Sequence, residues 1–180
     1  ENKLRVENSR SLNRWKVLTG AGLEYVQFGV DNKAKILIPG APGTAGTVKD
    51  IAFNSQLNLA KYSGFVRAYR NVMGNGTLSF AGRLDGNTFN KEMQNVLNQP
   101  TASVSASLPT KVDGLFFNAN VGQFTQLPSY TILGYRNAAG ELDNLNRVKY
   151  IRNRMVAAGL QYNKVKDTRI TLEGFYKKYA

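Results

Sequence analysis

Cysteine and histidine are both missing from the 180 residues of this chain. Without thiols there is no disulfide framework, no thiolate metal site and no thiol nucleophile. Without imidazoles there is no Ser-His or Cys-His pair and no imidazole metal ligand. Carboxylates are scarce, with 12 Asp and Glu against 24 Lys and Arg, and they are scattered so that no paired site for acid–base chemistry stands out. We therefore expect a protein that is not an enzyme and that takes no metal or cofactor. Nor is there an apolar run near the ~18 residues of a membrane helix; mean hydropathy is -0.34. Any membrane role falls to strands, whose alternation hides their apolar half. The start at Glu1 shows no basic-then-apolar leader, which fits cytosolic residence and export after cleavage alike.

Two glycine-rich stretches are incomplete as phosphate-binding motifs. Residues 39–47 lack the Gly-Lys pair of a phosphate loop, and Gly20-Ala-Gly22 lacks the third glycine of the dinucleotide fingerprint. They read as loop and strand glycines. The net charge of +12 and the pI of about 10.0 suit anionic partners. The distribution argues against nucleic acid, because the cations are spread over turns, loops and polar strand positions and no basic helix or nucleic-acid module is present. The densest group, Arg147, Lys149, Arg152 and Arg154, with Lys164, Lys166 and Arg169 near the last turn, reads as a solvated rim. The functional alternative is attraction to lipopolysaccharide phosphates or to an anionic ligand.

What the chain has in quantity is two-residue periodicity. Ala102, Val104, Ala106 and Leu108 alternate with Ser103, Ser105 and Ser107, and Leu115, Phe117, Ala119 and Val121 alternate with Phe116, Asn118, Asn120 and Gly122. Near the end, Val156, Ala158, Leu160 and Tyr162, then Ile170, Leu172, Gly174 and Tyr176, fall on one side of a hairpin, with Gln161 and Glu173 on the other. About eight such runs follow one another along residues 1–180, so the expected fold is all-β, an antiparallel up-and-down meander of about eight strands forming part of a transmembrane β-barrel. Short connections near Trp15, Gly74, Thr110 and Lys166 alternate with long ones around Pro42, Met93 and Arg136. In a meander that sorts short turns to one end and long loops to the other, the asymmetry of bacterial outer-membrane barrels. The alternation slips phase near Lys61, which a β-bulge or an extramembrane extension accounts for. Trp15, Tyr69, Tyr162, Tyr176 and Tyr179 lie toward run ends, where interfacial aromatic girdles belong.

Several segments together carry a family resemblance. Gly-Leu-Glu-Tyr at 22–25 returns as Gly-Leu-Gln-Tyr at 159–162, alongside Arg83-Leu-Asp-Gly-Asn-Thr-Phe89, Gln126-Leu-Pro-Ser-Tyr-Thr-Ile-Leu-Gly-Tyr135, Lys149-Tyr-Ile-Arg-Asn153 and Arg169-Ile-Thr-Leu-Glu-Gly-Phe-Tyr-Lys-Lys-Tyr179. From about Lys61 onward the chain closely resembles the barrel region of TonB-dependent outer-membrane receptors of the Bacteroidota type. The resemblance implies a wall segment of a transporter of roughly 22 strands, located in the bacterial outer membrane and importing an unknown ligand. Its implied partners are outer-membrane lipid and lipopolysaccharide, the parent receptor's plug domain and TonB. The chain departs from that plan in having no plug, no TonB-contacting segment, too few strands and no terminal aromatic.

The same resemblance implies places for individual residues. Arg83, Asp85 and Asn87 end a strand on its lumenal side near the external mouth, the segment from Gln126 through Tyr130 to Tyr135 forms a loop above the pore, and Asn118, Asn120, Gln161 and Glu173 line the wall. They contact either the ligand or the plug and one another. Two other classes stay open: a complete eight-stranded outer-membrane barrel with a structural or adhesive role, and a soluble basic β-protein such as a capsid or nucleic-acid-binding module.

Overall fold

The computed structural model describes residues 1–38, 46–137, 139–164 and 168–179, and within its strands the side chains at 34, 36, 37 and 49–53 are outside the description. The connections expected around Pro42 and Lys166 lie outside the described residues. Eight strands follow in chain order: β1 (Asn2–Leu12), β2 (Trp15–Ile38), β3 (Thr47–Val72), β4 (Gly76–Asn87), β5 (Pro100–Pro109), β6 (Leu115–Gln126), β7 (Ile151–Tyr162) and β8 (Ile170–Tyr179). Each pairs antiparallel with the next in a single sheet of order β1 to β8. Among the described residues β1 and β8 do not pair with each other, so the sheet is an open meander with two exposed edge strands.

The turns follow from residue type. At 73–75 both Met73 (φ 50) and Gly74 (φ 73) take positive φ, the combination that lets a tight hairpin match the strands' right-handed twist. Asn13, at φ 55, serves the β1–β2 turn in the same way. Short connections at 13–14, 73–75 and 110–114 lie at one end of the sheet, and long ones at 88–99 and 127–150 at the other. The long pair carries two single-turn helices, α1 (Lys91–Gln94) and α2 (Tyr130–Leu133). Asn90 caps α1, its side chain accepting from the Met93 amide at 2.8 Å.

The register gives the sheet two unlike sides. One unbroken row of partners runs Val17, Ala68, Phe80, Val104, Val121, Val156, Tyr176 from β2 to β8. The row beside it, on the other side, runs Leu18, Arg67, Ala81, Ser103, Gly122, Met155, Lys177. The apolar side is uncovered: Leu4, Leu23, Val66, Val121, Val156 and Leu172 are all exposed, Leu172 at 74%. A contiguous exposed apolar face of this kind marks a contact surface.

This apolar band has two borders, and both are oblique to the rows of strand partners. At the loop end the side turns polar at Gln123, Arg154 and Lys178, which are direct partners across β6, β7 and β8. Followed through the register, that row reaches Val66 and Thr19, still inside the band, and β2 turns polar only at Gln27. At the short-turn end Trp15 and Arg70 mark the border on β2 and β3, and Tyr162 marks it farther along on β7. Both borders thus slant the same way across the strands, with twelve positions between them on β2 (Trp15 to Gln27) and eight on β7 (Arg154 to Tyr162).

Beyond Tyr25 and Ala60, β2 and β3 continue as a hairpin past their neighbours, pairing as far as Ile38 and Thr47. There the two sides exchange character. Gln27, Asp31, Lys33, Gln56 and Asn58 now occupy the formerly apolar side, while Val26, Phe28, Leu57 and Leu59 occupy the other. This is the phase slip noticed near Lys61, and the continuous register from Lys16 to Ile38 excludes a bulge as its cause. The apolar residues are needed there because the long loops fold onto them: Val26, Leu57 and Leu59 pack with Phe89, Met93 and Leu133 in a small core, flanked by Leu127 and Tyr130. The girdle expectation needs a correction for two residues. Trp15, Tyr162 and Tyr176 lie on the apolar side, whereas Tyr69, paired with Lys16 and Ser79, and Tyr179, paired with Asn153, lie on the polar side because of their strand parity.

Candidate functional site

The polar side is where charge gathers. Glu24 and Lys61 are direct partners across β2 and β3, and the Lys61 ammonium is ion-paired to Glu24 and donates to the Tyr130 hydroxyl at 2.8 Å. Lys3 adds a longer contact to Glu24, at 3.8 Å. On β4 the Arg83 guanidinium forks onto Asp85, with Nη2 to Oδ1 at 2.7 Å and Nε to Oδ2 at 2.8 Å, the bidentate geometry that fixes both partners. Apart from Tyr130, these groups surround a cavity of about 70 Å³ that also takes in Arg5 and Tyr150. That volume admits a few waters rather than an organic ligand.

Asn87 links this cluster to the loops. Fully buried, it donates to the Tyr150 hydroxyl at 2.9 Å and accepts from the Phe89 amide at 2.9 Å. Burial pushes the Tyr150 phenol above its ordinary value of 10.0, and Asp85 adds to the rise, while the bond from Asn87 pulls the other way. The phenol therefore stays neutral where it meets Asn87. Tyr130 ties α2 to the sheet twice, through Lys61 and through a tilted ring contact with Phe28 at 5.8 Å. Tyr135 bridges Ser55, and the Arg136 amide donates to the Asn54 carbonyl at 3.1 Å. The 127–150 loop thereby covers the β3 edge beyond the end of β4. Replacing Asn87 by Ala leaves the Phe89 amide and the Tyr150 hydroxyl without this partner, and a loss of about 1–3 kcal/mol is expected. The check is amide exchange, which should quicken at 88–99 and 127–150 and stay unchanged in β5 and β6.

Asn118, Asn120, Gln161 and Glu173 form a second group toward the short turns. Asn118 donates to Gln161 at 3.5 Å, and Arg169 donates to the same Gln161 oxygen at 2.6 Å. Asn118, Asn120 and Glu173 line a groove of about 270 Å³ with Arg67, Ser79 and Ser105. The Asn120 side-chain oxygen is buried there without a hydrogen-bond partner. Gln126 is the exposed last residue of β6, opposite Ile151. All the strand residues picked from the sequence thus share the polar side, but they fall into two separate groups, with Gln126 apart from both.

Sequence reasoning missed Glu24, Lys61 and Tyr150, which complete the first group. Glu24 and Lys61 carried a signal only in retrospect, as oppositely charged residues on consecutive long strands whose register was not known. Among the described residues no group of three or more Asp and Glu side chains is placed to hold a metal ion.

Together the fold and the site define an open antiparallel meander with an uncovered apolar side and a charged, loop-capped polar side. No family model, curated protein or solved structure matches the chain.

Proposed function

We propose that the sheet is part of the wall of an outer-membrane β-barrel, and that this barrel is the pore of a TonB-dependent transporter for a ligand of unknown kind. The observation that carries the membrane reading is the slanted apolar band. From Trp15 to Tyr25 the chain advances about 33 Å at ~3.3 Å per residue. At a tilt of ~40° this projects to about 25 Å, the height of a barrel's apolar belt. An oblique border is what tilted strands present to a flat bilayer, and aromatics stand at both borders, Trp15 and Tyr162 at one and Tyr25 at the other.

In this reading the short turns face the periplasm, the long loops face outside, and the β2–β3 hairpin rises out of the bilayer. Its change to polar residues on the outer side, beginning at Gln27, fits the transition from lipid to water. The transporter assignment rests on the segment resemblance and on the sorting of small and polar residues to the inner side: Ser103, Ser105, Ala157 and Gly159 leave room for a wide lumen. Arg83, Asp85 and Tyr130 are then wall and loop residues near the external mouth. Arg83 and Asp85 already pair with each other along β4, and Tyr130, held by Lys61, ties its loop to the wall.

The test is the intact mass of the protein extracted in detergent from its native membrane. A mass several times 19.9 kDa supports the transporter. A mass near 19.9 kDa replaces it with a small closed barrel, and extraction without detergent replaces both with a soluble basic β-protein.

A further inference from the structure

The charges on the two sides of the sheet are balanced very differently. Alongside the band the strand carboxylates are Glu7, Glu24, Asp85 and Glu173, and all four project to the polar side by their register. Three of them meet cations there: Arg5 pairs with Glu7, Lys61 with Glu24 and Arg83 with Asp85. The apolar side carries cations at its borders and no carboxylate within the band. At the loop border Arg154 and Lys178 are direct cross-strand partners, both exposed, and among the described residues neither forms an ion pair. Like charges on side chains directly opposite each other, with Cβ atoms about 5 Å apart, destabilise a strand pair. Arg152, two residues along β7 on the same side, adds a third positive charge, its guanidinium donating to the Asn98 carbonyl at 3.0 Å. Directly below lie Val156 opposite Tyr176 and Leu160 opposite Leu172, all exposed.

We infer that Arg154 and Lys178, flanked by Arg152, form a binding site for the phosphorylated headgroup of an outer-leaflet glycolipid, whose acyl chains lie along Val156, Tyr176, Leu160 and Leu172. A single phosphate between the two side chains accepts from both and removes their repulsion. The apolar ladder below distinguishes a lipid from a free anion, because it offers nothing to inorganic phosphate. The site rests on the membrane reading above and adds to it a specific lipid class and position.

The test uses protein extracted in mild nonionic detergent and stripped of lipid, with native mass spectrometry reading the occupancy of a bisphosphorylated glycolipid, its dephosphorylated form and inorganic phosphate. The comparison is between R154Q/K178Q and K177Q, since Lys177 neighbours Lys178 but projects to the polar side opposite Met155. At about fivefold per charge, the double variant is expected to weaken binding of the bisphosphorylated lipid by ~25-fold. The expected effect of K177Q is less than twofold, and the lipid-free double variant should melt no lower than the parent because a like-charge pair is gone. Equal losses in both variants, equal binding of the dephosphorylated lipid, or inorganic phosphate binding as tightly as the lipid would each overturn the site. Membrane fractionation of the same variants keeps the two readings apart: a protein that stays in the membrane but shows no such difference loses only the site, whereas one that needs no detergent loses both.

Discussion

Arginine in place of Val104 or Val121 is expected to weaken assembly into a bilayer by about 2–4 kcal/mol, roughly 30- to 700-fold, as for a cation at the midplane of a barrel's lipid side. The two valines are direct partners on β5 and β6 and belong to the row that crosses the band from Val17 to Tyr176. Val121 is 52% exposed, and on the proposed reading a guanidinium there sits in hydrocarbon unless it snorkels to a border or distorts the bilayer around it. Ser105→Arg is the matched control. Its side chain enters the groove shared with Asn120 and Glu173 on the other side, where water and a carboxylate receive the charge, and little change is expected. Urea unfolding from lipid vesicles measures both. If this side meets water instead, Val104→Arg improves solubility, and the two substitutions lose their contrast.

The second large effect is expected from Leu133→Asp. Leu133 is 0% exposed, in α2, and belongs to the apolar cluster that, among the described residues, joins the loops to the sheet. A carboxylate cannot stay there unpaired without a penalty of several kcal/mol, so the loop leaves the sheet rather than keep its place. The cost of undocking is bounded by what the contact contributes, of the order of the ~2–5 kcal/mol of one large buried aliphatic side chain. The strand ladders do not depend on this contact. Proteolysis within 127–150 is therefore expected to accelerate by 30-fold or more while the β6–β7 and β7–β8 pairings persist. With α2 gone, Lys61 loses the Tyr130 hydroxyl and keeps Glu24. Unchanged proteolysis would mean that the cluster does not hold the loop.

Much of the sheet was legible because strand geometry writes itself into sequence with a period of two. Ala102, Val104, Ala106 and Leu108 could be assigned to one side, and Asn118, Asn120, Gln161 and Glu173 to the other, from parity alone. Parity cannot say how one strand slides against the next, and so the residues of the polar side could not be sorted into the Arg83–Asn87 group and the Asn118–Gln161 group. The Glu24–Lys61 pair was hidden for the same reason. At the β2–β3 hairpin the sequence left two readings open, a bulge or an extension, because an exchange of apolar and polar sides at constant register looks the same in one dimension as a slip of one residue. The continuous pairing removes the bulge. Behind the exchange is the 127–150 loop, about seventy residues farther along, folding back onto Leu57 and Leu59. Long-range packing of that kind leaves only a generic apolar trace in Leu127 and Leu133. Tyr69 and Tyr179 were misplaced because nearness to a strand end says nothing of side.

The most direct measurement of the central claim uses the absence of native cysteine. Single cysteines at each position from Ala102 to Leu108 on β5, labelled with a fluorophore and reconstituted into vesicles, report their surroundings one residue at a time. The account predicts alternation. Labels at Ala102, Val104, Ala106 and Leu108 are quenched by brominated acyl chains and shielded from an aqueous quencher, while labels at Ser103, Ser105 and Ser107 escape the brominated lipid. Equal quenching by the aqueous agent at all seven positions would contradict it, because the apolar side would then face water.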